Sequence, residues 1–127
     1  MSAALELQKS IYKRLNNGAS FWVFDDVPQD QAKPFIVVGD DTLIEYDSDG
    51  KTGFECTITI HTWSDYQGMA EIKAMQSEIY DLLHRAEFSV IGYNLINCTF
   101  EFADSFLDSN GVTRHGVQRF RVILIKS

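Results

Sequence analysis

Thr52-Gly53-Phe54-Glu55-Cys56-Thr57-Ile58-Thr59-Ile60-His61-Thr62-Trp63 is the stretch that decides the fold. Its residues alternate without a break. Phe54, Cys56, Ile58 and Ile60 point one way, while Glu55, Thr57, Thr59 and His61 point the other. A period of two is that of a strand, so one face is dry and the other wet. A strand of that kind belongs to an antiparallel sheet covered by helices on a single side.

Working outward, Phe21–Phe24 and Pro34–Gly39 read as two earlier strands, the second opened by a proline that a strand interior would not accept. Between Gly39 and the central strand, residues 40–51 are polar, acidic and punctuated by glycine, and read as a loop or a frayed hairpin arm. Residues 2–16 read as a helix capped by Ser2, with Ala4, Leu7, Ile11 and Leu15 on its apolar side. A second helix, about 68–85, carries Met69, Ile72, Met75, Ile79, Leu82 and Leu83 inward and Glu71, Lys73, Glu78 and Asp81 outward. Two last strands follow, Ile96–Phe106 with Cys98, Phe100 and Phe102 on one face, and Thr113–Lys126 with Phe120, Val122 and Leu124 inward. Asp108-Ser109-Asn110-Gly111 between them is a hairpin turn. The order predicts an α+β fold, a mainly antiparallel sheet with two helices on one face. Nothing marks a domain boundary, so 1–127 is expected to form one domain.

Charge is segregated along the chain. The formal net charge is −7 from 11 Lys+Arg and 18 Asp+Glu. Residues 25–50 hold Asp25, Asp26, Asp30, Asp40, Asp41, Glu45, Asp47 and Asp49 against Lys33 alone, and residues 112–127 hold Arg114, Arg119, Arg121 and Lys126 with no acid. An acidic chain is a poor wrapper of nucleic acid, whose phosphates need clustered cations. Opposite-signed segments suit subunits that meet head to tail, or else the two segments neutralise each other inside one subunit. In the last strand Ile123 and Ile125 alternate with Val122 and Leu124, so both faces are apolar there and the outer one is expected to be covered, by this chain or a neighbour. No apolar run is long enough to span a bilayer, and the start lacks the n- and h-regions of a signal peptide, so a cytoplasmic site of synthesis is expected.

Residues that could carry chemistry have plainer explanations. Cys56 and Cys98 occupy apolar strand positions and read as buried reduced thiols. His61, His84 and His115 have no carboxylate or cysteine at a ligand-like or triad-like spacing; His84 closes a helix, where a cation suits the dipole. Asp104, Asp108 and His115 flank the last hairpin and carry the alternative, a small cytoplasmic metal-dependent enzyme or binding module, although turns require Asp and Asn for their own backbone. Asp47–Gly50 has the D-x-D-G beginning of a calcium loop without its remaining ligands. No nucleophile elbow, P-loop or dinucleotide fingerprint is present. Neither a catalytic residue, a metal nor a cofactor is expected.

An ordered set of segments spans nearly the whole chain: Ile11-Tyr12-Lys13-Arg14-Leu15, Val27-Pro28-Gln29, Pro34-Phe35-Ile36-Val37-Val38-Gly39, Ile60-His61-Thr62-Trp63-Ser64, Gly68, Ile79-Tyr80-Asp81-Leu82-Leu83 and Asp108–Val117. In this order and spacing the chain resembles the small tail-completion (tail terminator) proteins of siphophages and related gene-transfer particles. The resemblance implies a structural virion protein that caps the tail tube as a hexameric ring and joins it to the head's connector or stopper protein. DNA would pass through its channel without being read. It implies residence at the head-proximal end of the tail, after assembly in the host cytoplasm, and no membrane contact. It supplies no catalytic residues. The residues expected at subunit contacts are Arg114, Arg119, Arg121, Ile123 and Ile125 on one side and Asp40, Asp41, Glu45, Asp47 and Asp49 on the other. Tyr46, Asp108 and Asn110 are the candidates for docking onto a neighbouring ring.

Overall fold

A computed structural model describes residues 2–127. Along the chain come α1 (Ala3–Gly18), β1 (Trp22–Phe24), β2 (Phe35–Glu45), β3 (Gly53–Ser64), α2 (Ala70–Leu83), β4 (Tyr93–Leu107) and β5 (Arg114–Lys126). The five strands form one sheet in the order β1-β2-β3-β5-β4. Only β1 runs parallel to its neighbour, through Trp22–Phe24 against Phe35–Val37, and every other pair is antiparallel. The alternating segment is therefore the middle strand, flanked by β2 and β5.

Its dry face meets the helices. Cys56, Ile58 and Ile60 from β3 pack with Ile36 and Val38, with Phe120, Val122 and Leu124, and with Cys98. Above them lie Leu7, Ile11 and Leu15 of α1 and Met75, Ile79 and Leu83 of α2. α1 covers β1 and β2, and α2 covers β3, β5 and β4. Ser2 caps α1 as the sequence indicates, its Oγ accepting from the Leu5 amide at 3.2 Å. Ala3, rather than Ala4, turns into the core. Burying one such Leu or Ile side chain is worth about 1.5–3 kcal/mol, so this layer is the main source of stability.

Under the first half of α2 the seam is polar. Thr62, Ser64 and Gln118 are buried there. The Ser64 hydroxyl donates to Glu71 at 2.6 Å and the Gln118 amide to the Gln76 carbonyl at 2.9 Å. Glu71, expected on the wet side of its helix, is thus drawn in as an acceptor for a buried hydroxyl. His84 has a second task that the sequence did not show: its Nδ1 accepts from the Phe100 amide at 3.1 Å and its ring stacks on Tyr80, which ties the end of α2 to β4.

Three register shifts matter. One lies in β2 between Val38 and Asp41, and two lie in β4, between Leu95 and Asn97 and between Phe100 and Phe102. An extra residue exchanges the faces of everything after it. Phe102 consequently leaves the face shared by Cys98 and Phe100; it pairs with Arg119 and lies under its guanidinium, 4.7 Å from ring centre to Cζ. Expecting all three on one face was wrong for this reason.

The sheet's two edges are unlike. Along the outer edge of β4, the Cys98 carbonyl accepts from the Arg85 amide at 2.7 Å and the Asp104 carbonyl from the Gln76 amide group at 2.9 Å. With the Phe100 amide held by His84, that edge is stopped by groups from α2 and the segment after it. On the opposite side β1 pairs with β2 only as far as Val37, and among the described residues no strand lies beyond Gly39–Glu45.

Candidate assembly surface

Residues 40–45, read from sequence as part of a loop or frayed arm, are strand. Asp41–Glu45 pair in register with Ile58–Phe54 of β3. The tip is also built. The Tyr46 amide donates to the Gly53 carbonyl at 2.8 Å, and Ser48 and Lys51 exchange backbone bonds at 3.0 and 2.8 Å. Between them Asp49 and Gly50 both have positive φ, 50° and 75°, as a two-residue hairpin turn of type I′ requires. The D-x-D-G run is this turn: Asp47 Oδ1 accepts from the Gly53 amide at 3.1 Å, tying the tip to its base.

Every residue from Asp40 to Thr52 is nevertheless exposed. Leu43, Ile44 and Tyr46 show 42%, 58% and 44% of their surface, which shows that the helix layer ends before the arm does. The arm therefore projects as an ordered hairpin whose apolar side chains are only about half covered. Of its acids only Asp40 faces a basic group among the described residues, His61 at 3.6 Å. The other ion pairs are Lys9–Glu6, Lys33–Asp65, Arg119–Glu101 and Arg121–Glu55. The acidic and basic segments do not neutralise each other through ion pairs inside one subunit.

The basic strand is engaged locally. Arg119 Nε donates to Glu101 at 2.8 Å, and Arg121 Nε donates to Glu55, which holds Arg121 above its ordinary range through that bond. Arg114 instead donates to the Val112 carbonyl at 2.7 Å and meets no carboxylate among the described residues. Ile123 and Ile125 are buried within the subunit, at 3% and 9% exposure. The turn after β4 is braced by Asn110, whose Oδ1 accepts from the Val112 and Thr113 amides, while Thr113 Oγ1 donates to Asp65 at 2.9 Å. β3 begins beside Ile125 and ends beside Arg114, so the Tyr46 tip and the Asp108–Asn110 turn sit at opposite ends of the sheet.

The described residues hold no group of three or more His, Cys, Asp or Glu able to bind a metal. Asp104 is occupied locally, Oδ1 accepting from the Ser105 amide at 2.9 Å. Asp108 acts on His115 only as a nearby charge. Burial pushes the thiols of Cys56 and Cys98 up to about 11 and about 12, values at which neither is a nucleophile near neutrality. Sequence reasoning overlooked one constellation, His61 with His115, Trp63 and Phe106, since strand pairing unites residues far apart in the chain.

The described residues form a small α+β domain with a projecting arm. The chain belongs to the tail completion protein gp17 family, which matches residues 11–125. It is a structural component of the phage virion's tail and not an enzyme. It is 24% identical over 93 residues to tail completion protein gp17 of Bacillus phage SPP1, covering 73% of this chain and 69% of that protein. Its fold matches a chain from the virion of a native gene transfer agent particle with a TM-score of 0.90 at 21% identity, over 98% of each chain.

Proposed function

We propose that this protein closes the head-proximal end of the tail tube as a ring of six, joining it to the head's connector or stopper, with DNA passing through the ring. The carrying observation is the arm. Thirteen consecutive exposed residues, 40–52, are tied to β3 and to one another by backbone bonds, and Leu43, Ile44 and Tyr46 among them keep 42%, 58% and 44% of their surface open. Contacts between unlike surfaces close into a ring when the rotation is right. The acids Asp40, Asp41, Glu45, Asp47 and Asp49 supply one surface. The facing surface draws on β5, where Arg114 is without a carboxylate and Arg119 and Arg121 would join with Glu101 and Glu55 as a network, backed by Ile123 and Ile125. Tyr46 at one end of the sheet, and Asp108 and Asn110 at the other, are placed to touch the layers on either side. A reconstruction of particles should show six copies at the tube end. A single copy there, or none, would overturn the reading.

A further inference from the structure

The wet face of the sheet carries a pair of imidazoles at the root of the arm. His61 Nδ1 and His115 Nε2 are 2.9 Å apart. At that separation one nitrogen donates and the other accepts, so the contact holds a single proton. Around it four strands converge. From β2, Asp40 reaches His61 Nε2 at 3.6 Å, and Gly39 lies against the ring so closely that a Cβ there would be 2.6 Å from His61 Cδ2. Trp63, two places along β3, stacks on His115 at 3.7 Å and 11°. Phe106 of β4 meets the same ring edge-on at 5.0 Å. Asp40 from β2 and Asp108 from the turn after β4 are the carboxylates that face the pair.

We propose that His61 and His115 form a proton-operated latch at the root of the arm, closed while one of the two rings is neutral and opened when both are cations. The first proton does not open it. Whichever ring carries it can donate the one shared proton to its neutral partner, so the contact at 2.9 Å gains charge assistance. A second proton places two N–H groups and two like charges against each other, and the contact cannot survive. His115 resists that proton: burial first, and then the charge of His61, hold it below its ordinary value, with Asp108 pulling the other way. The neutral ring's contribution to stability is therefore complete above the ordinary value of 6.5 and is withdrawn as pH falls from there toward the folded value. When the rings part, Gly39 loses the imidazole it packs against. This is the place where the β2–β3 ladder is already interrupted, between Val38 and Asp41, so the arm can turn there at least cost. The direction of the arm is thereby tied to protonation.

The latch belongs to one subunit and is tested on free protein, so it stands or falls apart from the ring. Amide protection factors should be followed by NMR from about pH 7.5 downward until the imidazole signals show both rings protonated, and protection at residues 38–42 and 115–117 should drop roughly tenfold as the pair takes its second proton. Protection at Ile58, Val122 and Ile79 should hold. In His115→Gln, where the amide bonds to His61 without titrating, the local drop should vanish; His61→Gln serves if that variant fails to fold. Unchanged protection in the wild-type protein, an equal drop in the glutamine variant, or loss spread over the whole sheet would each overturn the proposal.

Discussion

Gly53 joins the arm to the body, and its missing side chain is what allows the joint. A Cβ there would stand 2.2 Å from the Tyr46 carbonyl oxygen and 2.6 Å from Ile125 Cδ1. The first neighbour is backbone and already accepts no displacement, because Tyr46 and Gly53 are bonded to each other. Gly53→Ala should therefore cost about 1–3 kcal/mol, the usual range for overpacking. Urea unfolding should show a lower midpoint at an unchanged slope, and a midpoint equal to wild type would mean that the approach is looser than described. From sequence Gly53 was legible only as the start of a strand, since a close approach depends on which residues lie across the ladder. The same limit hid the His61–His115 contact. Cys56 and Cys98 were legible as buried thiols because each sat at an apolar beat of its strand.

At the scale of elements, the helices and the central strand were readable because their own side chains enforce them. β2 beyond Gly39 was not. Gly39-Asp40-Asp41 has low strand propensity, and the conformation comes from β3, whose backbone groups pair with whatever lies alongside. The faces of β4 were misread where an inserted residue resets the alternation, which no period-two count can register. These facts sharpen what the arm should do. In free protein the amides of 41–45 that face β3 should be protected from exchange while those of the tip exchange quickly, and in particles the tip should become protected as well. Deleting residues 43–50 and closing the ends with a short glycine turn removes no core residue, so the subunit should fold with nearly wild-type stability. Complementation should then yield particles with uncompleted tails. Normal tail completion by the deleted protein would take the arm out of the joint altogether.

Across the whole molecule the unequal distribution of charge is the property most open to test. Replacing Arg119 and Arg121 together by Glu turns two ion pairs into contacts between like charges, at side chains 44% and 34% exposed. Screened pairs of this kind contribute about 0.2–1 kcal/mol each, small beside a domain's stability of about 5–15 kcal/mol. The thermal midpoint should fall by a few degrees and the fold persist, while tail completion should weaken sharply if these arginines meet the neighbour. Unchanged completion would confine them to their roles beside Glu101 and Glu55. The unlike edges of the sheet bear on a different matter, the life of the subunit before it is used. A molecule with two open strand edges can add copies of itself without end, as amyloid does. Here β4 is stopped by Arg85, His84 and Gln76, so a copy that offers β2 finds no matching strand to extend. Such a protein can accumulate in a crowded cell without running into fibres, even though Gly39–Glu45 leave a stretch of β2 open.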